Sequence, residues 1–120
     1  MPQSRVATRY ATALFRQAKQ AGALETIIGD ARGLRSMLKD SRDFELFVTS
    51  PVIKATQKDT ALKAIGEKAA LAPITKNFLS LLVQKNRVAE LADIIDSFEA
   101  LYNKESNILP VEIVSAIELD

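Results

Sequence analysis

The chain has 120 residues, 48% hydrophobic and 26% charged, with a net charge of +1. That length suffices for one domain with a core of its own. There is no Cys and no His, which removes disulfides, thiolate nucleophiles, zinc–thiolate sites, the commonest general base and the commonest metal ligand. Asp and Glu are scattered, with no H-E-x-x-H, P-loop, G-x-G-x-x-G or EF-hand spacing. Four Gly in the whole chain cannot build a phosphate cradle, and no apolar run approaches the roughly 20 residues that span a bilayer. The sequence therefore reads as non-catalytic, with no cofactor and no metal.

Charge is distributed unevenly. The first 24 residues carry Arg5, Arg9, Arg16 and Lys19 and no acid. From Val88 onward, Glu90, Asp93, Asp96, Glu99, Glu105, Glu112, Glu118 and Asp120 face Lys104 alone. Such polarity suits oriented contacts better than general attraction to nucleic acid.

In chain order, Ser4 is a candidate N-cap and Gly22 a candidate left-handed stop for a first helix. Between them Val6, Ala7, Tyr10, Ala11, Ala13, Leu14, Phe15 and Ala18 cover an apolar arc of roughly 200°, at 100° per residue. The four cations fall on the opposite side. A basic, acid-poor amphipathic start also fits a transit peptide. The Gly stop running directly into a second helix favours an integral first helix instead. Ala23 to about Lys39 forms the second helix, with Leu24, Ile27, Ile28, Ala31, Leu34 and Leu38 as a narrower stripe and Gly29 and Gly33 off it. A short third helix, Asp43 to Thr49, turns Phe44, Phe47 and Val48 inward, and Pro51 follows its end. Thr56 with Asp59 has capping-box spacing for a fourth helix. That helix runs to about Leu71 on Leu62, Ile65 and Ala69, and Ala72-Pro73 breaks it.

Pro73 suits the first position of a fifth helix, which Asn86 can end in a left-handed cap. Ile74, Phe78, Leu79, Leu81, Leu82 and Val83 again span roughly 200°, whereas one core needs a stripe of little more than 100°. A sixth helix runs from about Arg87 to Lys104 on Val88, Leu91, Ala92, Ile94, Ile95, Phe98, Leu101 and Tyr102. The expected architecture is all-α: a six-helix bundle over residues 1–106 with no strand before Asn107. In residues 107–120, Leu109, Val111 and Ile113 alternate with Pro110, Glu112 and Val114, a period near two that favours a strand. A lone strand is not stable by itself, so the tail reads as a linker and the start of a truncated second domain.

The excess apolar arc on the first and fifth helices has two readings. Each helix is simply buried by its neighbours, or the two leave a groove that accepts an amphipathic helix from another protein. The arc edges are Val6, Tyr10 and Ala13 on one helix and Ile74, Phe78 and Leu81 on the other. Periodicity alone does not say which edge is core.

VATRYATALFRQA at Val6–Ala18, SPVI at Ser50–Ile53, TKNFLSLLVQKNRV at Thr75–Val88 and VEIVSA at Val111–Ala116 resemble the delta subunit family of F-type ATP synthase, which includes the mitochondrial oligomycin sensitivity conferral protein. The resemblance covers the chain in order and with family-like spacing. It implies an N-terminal six-helix bundle that binds the N-terminal helix of an alpha subunit between its first and fifth helices. It also implies a C-terminal domain that holds the b subunits of the peripheral stalk. Together they make a stator that couples proton-driven rotation to ATP synthesis. The family's contact positions fall on Tyr10 and Ala13 and on Phe78 and Leu81, with Val6 on the same edge and Asn77 and Leu82 as flanking candidates. The expected location is peripheral, on the cytoplasmic face of a bacterial inner membrane or the matrix side in a mitochondrion. One departure is Asn86 followed directly by Arg87, where many relatives have Asn-Gly-Arg, which weakens the expected cap. The alternative from another class is a helical RNA-binding antitermination-type domain, in which Arg5, Arg9, Arg16 and Lys19 contact phosphates.

Overall fold

In a computed structural model, the backbone of residues 4–111 and the side chains of residues 4–106 are described. The helices are α1 (Arg5–Gln20), α2 (Leu24–Asp40), α3 (Arg42–Thr49), α4 (Ala55–Lys68), α5 (Pro73–Gln84) and α6 (Leu91–Val111), with a 3₁₀ turn at Val88–Glu90 before the last. Among the described residues there is no strand, as the all-α expectation required.

Local chemistry sets most of the boundaries. The Ser4 hydroxyl accepts from the Ala7 N–H at 3.0 Å, satisfying one of the first-turn donors of α1. Gly22 at φ +67° ends that helix, and the Gly22 and Ala23 N–H groups close back on the Lys19 and Ala18 carbonyls. Asn86 does the same after α5 at φ +59°, with Asn86 and Arg87 donating to Val83 and Leu82. The cap forms without the extra glycine of many relatives. Ser41, unremarked in the sequence reading, caps α3 by accepting from the Phe44 N–H at 3.2 Å.

Three expectations are corrected. The Thr56/Asp59 capping box is not made: α4 begins at Ala55, and Gln57 Oε1 accepts from the Lys54 N–H. Asp59 sits two positions too deep to cap and binds Ser80 and Lys63 instead. Helix α4 stops at Lys68, and Ala69 is exposed rather than inward. Ala70 takes φ +54°, and the Ala70 and Leu71 N–H groups close on the Glu67 and Gly66 carbonyls. Finally, α6 continues past Lys104 to Val111, so the first part of the segment read as a strand is helical. With no strand to pair against, continuing the helix satisfies the backbone locally. The rest of the expected strand, at residues 112–120, lies outside the described residues.

The core is one cluster drawn from every helix, with Ile27, Leu79, Leu82, Leu91, Ile94 and Phe98 among its largest fully buried side chains. Helix α1 packs most extensively on α6, α5 on α4, and α2 on α6. The close α1–α6 approach follows from a buried stripe of Ala7, Ala11, Leu14 and Ala18, since small side chains let helix axes come together. Ser4 bonds Glu90 at one end of α1 and Lys19 pairs with Glu105 at the other, so α1 and α6 run parallel. Arg32 on Glu99 and Arg35 on Asp96 align α2 antiparallel to α6.

Candidate functional site at the edge of α1 and α5

Burial divides the two wide arcs. On α1, Ala7, Ala11, Leu14 and Ala18 are the core stripe. One shoulder carries Phe15, whose ring meets Phe98 edge-on with centroids 5.9 Å apart. The other shoulder carries Val6 and Tyr10, both half-buried, and Ala13, exposed. On α5, Thr75, Phe78, Leu79, Leu82 and Val83 are buried, while Ile74 is half-buried and Asn77 and Leu81 are exposed. Leu81 at 38% exposure is one of few large apolar side chains left open to solvent.

The structure brings the two shoulders together. The Tyr10 and Phe78 rings meet edge-on, with centroids 6.4 Å apart at 65°, a favourable aromatic geometry. Ala13 lies one turn on from Tyr10 and Leu81 one turn on from Phe78. The α1 and α5 backbones are not among the closely packed pairs, so side chains rather than interlocked helices define this edge. Of the seven predicted contact residues, Val6, Tyr10, Ala13, Asn77 and Leu81 offer surface. Phe78 presents only an edge, at 8% exposure. Leu82 is fully buried and offers none; it falls on the inward side of α5, about 100° round the helix from Leu81.

Two polar devices hold α5 in place, and the sequence reading missed both. Asp30 of α2 reaches the start of α5, where one carboxylate oxygen accepts from the Ala72 N–H at 2.9 Å and from the Thr75 hydroxyl at 2.7 Å. A negative group at a helix N-terminus also meets the positive end of the helix dipole. Thr75 is itself buried, and this bond accounts for a polar side chain in the core. On the other side, the Ser80 hydroxyl donates to Asp59 at 2.9 Å. Lys63 and Ser80 hold the Asp59 carboxyl below its ordinary range. Neither partnership is visible in sequence, because the partners lie 45 and 21 positions apart.

A second apolar surface lies at the SPVI element. Leu46 and Val52 are exposed beside a shallow depression lined by Phe47, Pro51 and Ile53. Buried Lys58 fixes this turn by donating to the Val48 and Ser50 carbonyls at 3.0 and 2.8 Å, thereby capping the C-terminal end of α3 with a cation. Burial pulls the Lys58 ammonium below its ordinary pKa.

With this geometry in place, comparison with known proteins is decisive about kinship. The model of the family described as ATP synthase delta (OSCP) subunit matches residues 6–120. The chain belongs to the ATP synthase delta (OSCP) family. Among relatives of this delta family, the ATP synthase subunit delta of Parvibaculum lavamentivorans is 36% identical over 115 residues, covering 96% of this chain and 59% of its own. That of Phenylobacterium zucineum is 38% identical over 96 residues, covering 80% of this chain and 52% of its own. A chain of the Toxoplasma gondii mitochondrial ATP synthase hexamer superposes with a TM-score of 0.75 at 40% identity, over 79% of this chain and 53% of that one. The chain thus spans little more than half the length of these delta-family relatives. No helix among the described residues is long and apolar enough to cross a membrane.

Proposed function

We propose that this bundle is a non-catalytic stator element of an F-type ATP synthase, and that its α1–α5 edge receives the N-terminal helix of an alpha subunit. A C-terminal domain would then hold the b subunits of the peripheral stalk. The head is thereby kept from turning with the rotor, and proton-driven rotation is coupled to ATP synthesis. In this reading the protein sits peripherally, on the cytoplasmic or matrix side of the coupling membrane. One observation carries the site: Ala13 and Leu81 stand exposed on either side of the Tyr10–Phe78 contact. An amphipathic helix laid there would bury apolar surface that the bundle leaves open, which is the helix-in-groove mode of recognition.

The test measures two quantities on each variant: affinity for the alpha-subunit N-terminal peptide and melting temperature. Ala13→Trp should fill the edge and exclude the peptide. Leu81→Asp should weaken binding because its carboxylate would be desolvated without a partner. Both variants should stay folded, since substitutions at exposed positions usually move stability by no more than about 0.5 kcal/mol. Sharp losses of melting temperature in both would assign these residues to the core. Unchanged binding in both would move the docking site elsewhere.

A further inference from the structure

The charges bordering this edge carry a statement about its occupant. Helix α1 contains Arg5, Arg9, Arg16 and Lys19 and no acid, and α5 contains Lys76 and no acid. The two walls therefore hold five cations and no carboxylate, although the whole chain carries only +1. Two of the five are neutralised within the bundle, Lys19 by Glu105 and Lys76 by Glu67. Arg5, Arg9 and Arg16 are exposed, and no carboxylate among the described residues lies within ion-pairing distance of them. The contrast with α2 is direct, because Arg32 and Arg35 there each pair with an acid of α6 at 3.0 Å.

Helical geometry places these arginines beside the site rather than behind it. At 100° per residue, Arg9 and Arg16 lie about 40° and 60° round α1 from Ala13, both on the side away from the core. They form the outer lip of the α1 wall. Resting on the docking role proposed above, we infer that this lip selects an amphipathic helix whose apolar face is bordered by Asp or Glu on the flank facing α1, with Arg9 and Arg16 as the residues that read it. The occupant is a peptide segment of the alpha subunit. Unpaired, exposed cations at a rim act chiefly on encounter and orientation, so their effect falls on the association rate and on salt dependence. The apolar contacts of Ala13 and Leu81 act on dissociation.

The experiment is stopped-flow or surface-resonance kinetics of the alpha-subunit N-terminal peptide on the whole 120-residue chain at low and high salt. Four forms are compared: wild type, Arg9→Glu/Arg16→Glu, Ala13→Trp, and Lys39→Glu as a charge reversal on a helix that lines neither wall. The expected result is an association rate about tenfold lower for the double reversal at low salt, a flatter salt dependence, and little change in dissociation or melting temperature. Lys39→Glu should leave the rates close to wild type. Replacing the peptide's own Asp and Glu by amides should reproduce the loss on wild type and add nothing on the double reversal. If the peptide binds and neither the double reversal nor the amide peptide alters the rate, the selection inference falls and the docking role stands. If the wild type fails to bind the peptide, both fall. If a uridine homopolymer binds at low salt through Arg9 and Arg16 and displaces the peptide, the lip is a phosphate surface and the inference is overturned.

Discussion

The seam between α2 and α6 and the edge between α1 and α5 are built on opposite plans. Across the first, Arg32 pairs with Glu99, Arg35 pairs with Asp96, and the Tyr102 hydroxyl donates to Glu25. The Arg32 guanidinium lies over the Tyr102 ring at 5.5 Å, so polar pairs of both signs line its rim above a buried row of Ile27, Ala31, Leu34 and Leu38. Across the second, one aromatic contact joins two apolar shoulders, and the arginines alongside have no acid in reach among the described residues. Charged rims of both signs satisfy themselves and leave nothing to recruit a partner. A rim of one sign beside exposed Ala13 and Leu81 is complete only when something else supplies the apolar face and the opposite charge.

The largest expected effect separates neighbours in sequence on the open side. Leu82→Ala should cost about 2–5 kcal/mol, because it hollows a packed core. Leu81→Ala should cost less than about 1 kcal/mol, because that side chain is already partly in water. Chemical denaturation of both variants checks this, and equal losses would mean the α1–α5 edge is as closed as the α2–α6 seam.

Next in size is the clamp that aims α5. Asp30→Ala removes the acceptor for the Ala72 N–H and leaves the Thr75 hydroxyl buried without a partner. The expected loss is about 1–3 kcal/mol, and Asp30→Ala/Thr75→Val should recover part of it. A double variant no more stable than the single would show that Thr75 finds another partner.

The closed seam should prove less costly to damage than its appearance suggests. Its ion pairs are substantially exposed, and such pairs contribute about 0.2–1 kcal/mol each. Glu99→Gln with Asp96→Asn should lower stability modestly at low salt, and the difference should shrink in 1 M salt. A salt-independent loss would mean that packing of the Arg32 and Arg35 stems, rather than charge, holds this seam.

The smallest effect is a pH dependence on the α4–α5 side. Because the Asp59 carboxyl is held below its ordinary range, the unfolded chain binds that proton more readily than the folded chain. Stability from this group is therefore present above the ordinary carboxylate range and lost as pH falls through the depressed value. The melting-temperature gap between wild type and Asp59→Asn should narrow as the pH is lowered through that window. A gap that stays constant would place the Asp59 contribution in its hydrogen-bond geometry instead of its charge.

Much of the bundle was legible in the residues because its instructions are local. Ser4, Gly22, Pro73 and Asn86 act within a turn of their own positions, and the 3.6-residue period marks each apolar stripe without knowledge of the partner. The Thr56/Asp59 box failed for a related reason: its spacing was correct, but the helix started two positions earlier, on Lys54 and Gln57. The alternation of Leu109, Val111 and Ile113 misled over the stretch that α6 occupies, because a strand pattern has no force without a second strand.

The sequence by itself determined six helices, the cap or stop positions at Ser4, Gly22, Pro73 and Asn86, and the two helices with more apolar arc than one core requires. Periodicity measures how wide an apolar face is and carries no information about what covers it. Only the tertiary structure decided that Ala7 and Leu82 are interior, that Ala13 and Leu81 are surface, and that Tyr10 meets Phe78. It also assigned Asp30 to the start of α5 and gave acids to the arginines of α2 but none among the described residues to Arg5, Arg9 and Arg16. Each of these depends on which helix lies beside which, a matter of packing between residues distant in the chain.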